Sequence, residues 1–136
     1  MKILLDTNIV IDILTAREPF VFDSVKVLAH IENNAIEAYL TANSITDILY
    51  VLRKEIPEKN RRQEIVKNIL QILDIISVTK IDIFKAFDLE YTDFEDALQA
   101  QCAKKIKADY IITRNKKDFK DTAIHAVTPA EFLKLI

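Results

Sequence analysis

The sequence predicts an α/β domain with a central, mainly parallel β-sheet and helices on both faces. Short apolar runs such as Ile3-Leu4-Leu5 and Tyr110-Ile111-Ile112 carry no polar alternation, as in strands covered on both sides. Segments of helical spacing separate them, beginning with Ile9, Val10, Ile11, Ile13 and Leu14, and short strands alternating with helices favour parallel connections.

In chain order the elements are strand 2–6, helix 8–14, helix 22–33, strand 37–41, helix 44–54, helix 58–73, strand 75–78, helix 80–88, helix 94–107, strand 109–113, strand 124–127 and helix 129–135. Pro57 ends one helix and stands near the start of the next. Ala97, Ala100 and Ala103 give the helix over 94–107 a small-residue side that lets it lie close on the sheet. Thr128-Pro129-Ala130-Glu131 is a capping box with proline at the first helical position.

The 136 residues, half of them hydrophobic and 29% charged, suit one domain over 1–136 with a single proper core. The run from Ile3 to Leu14 is interrupted by Asp6, Asn8 and Asp12 and is far shorter than the ~20 residues of a membrane span. It lacks the basic flank and cleavage site of a signal peptide. The lone Cys102 forms no intrachain disulfide, and His30 and His125 make no zinc pattern; a reducing cytoplasm fits. The chain contains no glycine, which removes the phosphate-cradling loops of dinucleotide binders and P-loop NTPases. A formal charge of −2 argues against binding nucleic acid by a basic face alone, but it leaves room for an enzyme whose clustered acids lower the net charge.

Acids recur at element junctions. Asp6 falls where a strand ends and a helix begins, the place where open α/β sheets put their ligands. Asp47 follows Ser44-Ile45-Thr46, Asp93 and Asp96 stand one turn apart in Asp93-Phe94-Glu95-Asp96, and Asp118 follows the strand 109–113. Each has an ordinary alternative. Asp6 or Thr7 suits a helix N-cap, Asp47 suits a solvated stripe with Tyr50 and Lys54, and Asp93 and Asp96 suit a helix dipole. Asp23, Asp74, Asp82, Asp88, Asp109 and Asp121 have no such context and are assigned to surface or caps, and Cys102 to the core. Carboxylates gathered at one end of a sheet repel one another unless a cation neutralises them. Hard oxygen ligands suit Mg²⁺ or Mn²⁺, and such sites hydrolyse phosphodiesters. No Ser/His/Asp or Cys/His nucleophile set is visible.

With these residues in place, the chain resembles the PIN-domain ribonucleases, the group that includes the VapC toxins of toxin–antitoxin pairs. The matching stretches are Leu4-Leu5-Asp6-Thr7-Asn8, Ser44-Ile45-Thr46-Asp47, Asp93-Phe94-Glu95-Asp96-Ala97-Leu98-Gln99, and Ile111-Ile112-Thr113-Arg114-Asn115 with Lys117-Asp118-Phe119, in family order along the whole chain. The resemblance implies a PIN-like fold and a metal-dependent endoribonuclease, with Asp6, Asp47 and Asp96 as the catalytic acids and metal ligands. The second acid is commonly glutamate, so Asp47 is a shorter reach. At the fourth position, commonly aspartate, stands Asn115, whose amide oxygen can still ligate a hard cation, with Asp118 three residues on as a partial replacement and Asp93 in support. Thr7, Asn8, Ser44 and Thr113 resemble the polar residues that orient the acids. Arg17, Arg53, Arg114, Lys116 and Lys117 are the candidates for gripping RNA. An antitoxin partner and a homodimer are implied by the same resemblance. The competing reading is a catalytically weakened PIN module that binds RNA or protein. A phosphoaspartyl protein ranks below both: Asn8 stands where one such pattern needs a second aspartate, and the third strand ends Val78-Thr79 without an acid.

Overall fold

A computed structural model describes residues 1–33, 35–119 and 123–136. The elements are β1 (Lys2–Leu5), α1 (Thr7–Leu14), α2 (Val21–Asn33), β2 (Glu37–Thr41), α3 (Ser44–Glu55), α4 (Lys59–Ile69), β3 (Asp74–Ile76), α5 (Lys80–Phe87), α6 (Phe94–Lys105), β4 (Tyr110–Ile112), a 3-10 turn (Lys116–Phe119), β5 (His125–Val127) and α7 (Pro129–Leu133). The strands form a five-stranded sheet in the order β3-β2-β1-β4-β5, and each neighbouring pair is parallel.

Alternate strand residues serve opposite layers, as the period of two requires. Ile3 and Leu5 of β1, Leu40 of β2 and Ile112 of β4 join a core with Ile9, Val27, Ile48, Val66 and Phe132 from α1, α2, α3, α4 and α7. Leu4 and Ile111 face the second layer, made with Ala86 of α5, Ala97, Ala100, Cys102 and Ala103 of α6, and Phe119. Covering both faces explains why β1 and β4 read as unbroken apolar runs. It also places the alanine side of α6 against the sheet, as its small residues predicted.

Several boundaries differ from the sequence reading for identifiable reasons. The helix predicted over 58–73 ends at Ile69. There the Gln71 and Ile72 amides turn to carbonyls three residues back, a tightened last turn that delivers Leu73 to the core. The segment after β4 contains the unanticipated 3-10 turn, in which Asp118 N donates to Asn115 O at 3.0 Å. Asp121 lies outside the described residues. The capping box at Thr128 forms as predicted, with Pro129 in the first turn.

Without glycine, the chain uses Ala16 (φ 51°) and Lys107 (φ 57°) where helices need a left-handed residue to close. The Arg17 amide bonds Asp12 O, five residues back, after α1, and the Ala108 amide bonds Ala103 O after α6. Both are Schellman endings, normally a glycine position. No helix among the described residues is long and apolar enough to cross a membrane.

Asp82 is a cap, as assigned, but not a surface residue: it is 3% exposed. Its carboxylate closes a capping box with Thr79 and accepts a 2.8 Å bond from Lys105 Nζ, which also donates to Ser77 O. Burial pushes its pKa upward, yet Lys105 together with the Thr79 amide and hydroxyl outweighs it and brings the pKa down to about 2. A lowered acid pKa means the stabilisation is complete above the ordinary 3.8 and is lost as pH falls towards about 2. Asp82→Asn is therefore expected to lower stability at neutral pH by roughly 1–3 kcal/mol. It should also flatten the acid limb of the stability curve, which denaturant melts from pH 7 down to pH ~2 will measure.

Candidate active site

Asp6 takes over directly from β1. Its amide continues the sheet by donating to Ile112 O at 2.9 Å, and its extended backbone puts it at the N-cap position of α1, although its side chain makes no cap bond. The carboxylate is held instead by Thr113 Oγ1, which donates to Oδ2 at 2.8 Å, and by Gln99 Nε2, which donates to Oδ1 at 3.2 Å. β1 and β4 are the neighbours from which the strand order runs outward in opposite directions, so Asp6 and Thr113 sit at the topological switch point.

A cleft of about 400 Å³ opens above them, lined by Asp6, Thr7, Asn8, Asp47, Asp93, Glu95, Asp96, Gln99, Asn115 and Asp118, with Ile11, Tyr50 and Val51 as its apolar wall. All six residues named as metal ligands from sequence line this one cleft. The first turn of α3 brings Asp47, the first turn of α6 brings Asp96, and the 3-10 turn brings Asp118. Asp93 serves two ends at once, since it lines the cleft and caps α6 by accepting from the Asp96 amide at 3.1 Å. Beneath the cleft, buried hydroxyls link β2 to two helices: Ser44 Oγ stands 2.8 Å from Thr7 Oγ1 and 2.7 Å from Thr41 Oγ1. Thr113 holds Asp6 and also accepts from the Asn115 amide at 3.0 Å. A second hollow of about 420 Å³ shares Asp93, Asp96 and Asp118 and adds Lys117. A larger hollow of about 700 Å³ lies between α5 and α6 around Asp82, Lys85 and Lys104; it contains none of these acids.

Crowding has a measurable chemical consequence. Burial, then the charges of Asp93, Asp6 and Asp118, pushes the Asp96 pKa up to about 7. Glu95 is likewise raised to about 7 by burial of its carboxyl, a hydrogen bond to Asp47 and the charges of Asp47, Asp93 and Asp6. Both groups favour whatever removes negative charge, and a divalent cation does so. The donor set is all hard oxygen, and the buried Gln99 Oε1 has no hydrogen-bond partner, a free acceptor beside Asp6. Among the described residues no three acids, histidines or cysteines stand grouped so as to hold a metal ion; the acids line an open, polar cleft.

Glu95 and Gln99 were not singled out from sequence. Glu95 sits between two acids that were, and Gln99 is one turn beyond Asp96 on the same helix; that i, i+3 spacing is the signal that finds it. The basic candidates divide. Lys117 lines the second hollow, and Arg53 stacks over the exposed ring of Tyr50, on the cleft wall, at 4.0 Å. Lys116 pairs with Glu131 at 2.9 Å, and Arg17 lies over Phe20 at 5.7 Å. Arg114, expected to grip substrate because it flanks a ligand position, instead pairs with the fully buried Asp12, Nε to Oδ2, at 2.8 Å, and lies against Phe20 at 4.1 Å. The partner that decides where this side chain goes is an acid on α1, 102 residues away in the sequence.

An open parallel α/β sheet with an acid-lined cleft at its switch point defines the class of fold and site. The PIN domain family model matches residues 2–117, and the chain belongs to the PIN domain family. It is 30% identical to Ribonuclease VapC1 of Aquifex aeolicus (strain VF5), over 96% of this chain and 92% of the relative. Among solved structures it is similar to a toxin-antitoxin complex from Klebsiella pneumoniae, with a TM-score of 0.70 at 23% identity over 93% of this chain and 96% of that one. It is similar also to VapBC2 from Rickettsia felis bound to a promoter DNA fragment, with a TM-score of 0.70 at 20% identity over 94% and 98%. A third is the Mycobacterium tuberculosis VapC20 toxin, which cleaves the Sarcin-Ricin loop, with a TM-score of 0.64 at 12% identity over 80% and 86%. These structures share the fold.

A raised acid pKa means stability is lost as pH climbs from the ordinary 3.8 through about 7. Asp96→Asn should therefore stabilise the chelator-treated protein at pH 8 by roughly 1 kcal/mol and have little effect at pH 4. Thermal melts of both proteins at the two pH values measure this.

Proposed function

We propose that this chain is a metal-dependent endoribonuclease and the toxin of a toxin–antitoxin pair. The observation that carries the reading is the convergence of Asp6, Asp47 and Asp96, from three distant segments, on one cleft at the β1–β4 switch point. Family membership and the 30% identity to a VapC ribonuclease support it, and the fold shared with toxin-antitoxin complexes supports an antitoxin partner. Self-association into a homodimer is part of the same reading, with sedimentation of the purified chain as its check.

Asp6, Asp96 and Asp47 are the residues that would hold Mg²⁺ or Mn²⁺, with Asn115, Asp118 and Asp93 around them. The ion would supply positive charge at the scissile phosphate and acidify a bound water. The chain's own residues do the rest. Thr113 and Gln99 fix both oxygens of Asp6, which leaves the carboxylate one orientation. The Thr7–Ser44–Thr41 hydroxyl chain fixes the start of α1 against the start of α3. Glu95, titrating near neutrality, is suited to hold and pass a proton at its carboxyl. Arg53 with Tyr50, and Lys117 beyond the shared acids, are the groups placed to meet an RNA strand, by stacking and by phosphate attraction. Arg114, turned onto Asp12, is not among them.

Incubating an RNA oligonucleotide with the purified protein tests the reading. Cleavage should require millimolar Mn²⁺ or Mg²⁺, and a chelator should abolish it. Metal should raise the melting temperature by mass action. Asp6→Asn should remove that rise and reduce cleavage by more than the roughly 10- to 100-fold typical of residues behind the ligands. Melting unchanged by metal in the wild type would favour a binding module instead.

The replacement of an acid by Asn115 gives a second test. An amide oxygen still ligates a hard cation but contributes no charge, whereas Asp118 brings a full carboxylate to the same cleft. Asp118→Asn should weaken Mn²⁺ binding by roughly 10-fold or more, and Asn115→Asp should change it less. Calorimetric titration of both variants measures this; the opposite order would assign the fourth ligand to position 115.

A further inference from the structure

We propose that the Asp12–Arg114 ion pair is a positioning element for the acid cleft, holding the segment Thr113-Arg114-Asn115 in register against α1 without touching metal or substrate. The proposal rests on the metal-nuclease reading above. Asp6 and Asp12 bracket one helix: Asp6 precedes α1 and Asp12 lies in its last turn. Arg114 is flanked on one side by Thr113, whose hydroxyl holds Asp6, and on the other by Asn115, which lines the cleft. Its guanidinium reaches Asp12, so the pair ties the loop to the same helix whose start carries Asp6.

The contact is built for position more than for strength. Asp12 is 0% exposed and the Arg114 side chain 19% exposed. The Nε–Oδ2 separation is 2.8 Å, and Nη2 reaches Oδ1 at 3.4 Å, so the guanidinium faces both carboxylate oxygens. The Phe20 ring lies 4.1 Å from the guanidinium carbon and restricts its sideways movement. Burial raises the Asp12 pKa, and Arg114, then Arg17, pull it back. A buried pair of this kind contributes little net stability compared with well-packed apolar side chains, but it accepts only one register. The Thr113 hydroxyl donates to Asp6 and accepts from the Asn115 backbone amide, so a shift at Arg114 is passed to both.

The distinguishing variant replaces the whole pair: Asp12→Leu with Arg114→Met. Apolar replacement of both partners preserves or raises stability where a single substitution would strand a buried charge. The wild type and the double variant are compared by amide hydrogen exchange at Asn115, by Mn²⁺ calorimetry and by RNA cleavage. Positioning predicts a melting temperature at or above that of the wild type, with faster exchange at Asn115 than in the wild type. It also predicts Mn²⁺ affinity lower by about 10-fold and kcat lower by up to about 100-fold with KM little changed. Wild-type exchange, affinity and kcat in the folded double variant overturn it. Should that variant not fold, Arg114→Lys keeps the charge and loses the planar fork; the same loss of Asn115 protection and metal affinity, to a smaller degree, supports the proposal, and wild-type values overturn it. If the wild type itself cleaves no RNA, the nuclease reading fails, and Asn115 exchange alone decides: acceleration supports the clasp and its absence overturns it.

Discussion

The hydrogen bond from Thr113 to Asp6 joins the ends of the two central strands at the point where the sheet's order reverses, and the candidate site is organised around it. It exists because β1 and β4 are neighbours in parallel register, with Leu5 opposite Ile112. Both strands then deliver their next residue, Asp6 and Thr113, to the same edge. Parallel pairing demands crossover connections, and those crossovers supply α3 and α6, whose first turns bring Asp47 and Asp96 over the edge. The first turn is the informative place for an acid, since free backbone N–H groups and the helix dipole partly offset its charge. Asp93 uses this offset as a cap while facing the cleft.

That offset is incomplete. Asp96 and Glu95, both near pH 7 in their titration, mark a site where folding alone has not satisfied the charges. A chain with no glycine has few ways to cradle a phosphate with bare backbone amides. Gathered carboxylates offer the opposite solution, in which a cation is bound first and the anionic substrate is attracted to it. The rest of the structure tolerates the strain: Ser44, Thr41 and Thr113 are fully buried and bonded, so the layer under the acids is fixed while the acids themselves repel.

Asp6, Asp47 and Asp96 were legible in the sequence because each marks a change of period, from a strand or loop into a helix, and such junctions are local. The doubly covered sheet was legible for the same reason, in the unbroken runs of β1 and β4. What was not legible depends on contacts far apart in the chain. Asp12 reads only as an interruption of an apolar run, and Arg114 only as a cation beside a ligand position; their pairing spans more than a hundred residues of sequence and redirects the side chain. Gln99 stands one turn from Asp96, but its bond to Asp6, 93 residues away, has no local signal. The early end of α4 at Ile69 reflects tertiary packing of Leu73, which helical periodicity across 58–73 does not contain.

The departure from the family pattern at Asn115 follows the same logic of local form and distant consequence. Had the chain after Thr113 been extended, Asp118 would stand roughly 10 Å further along, beyond the cleft that Asn115 lines. The 3-10 turn folds it back, with its amide on Asn115 O, and buries Phe119 as an anchor in the second core layer. The amide and the carboxylate therefore share one cleft. A carboxylate stands three residues after the amide, in a turn whose Phe119 packs in the core. A substitution at Phe119 would reach Asp118 through this turn without touching the cleft itself, which ties the position of that carboxylate to the hydrophobic layer behind α6.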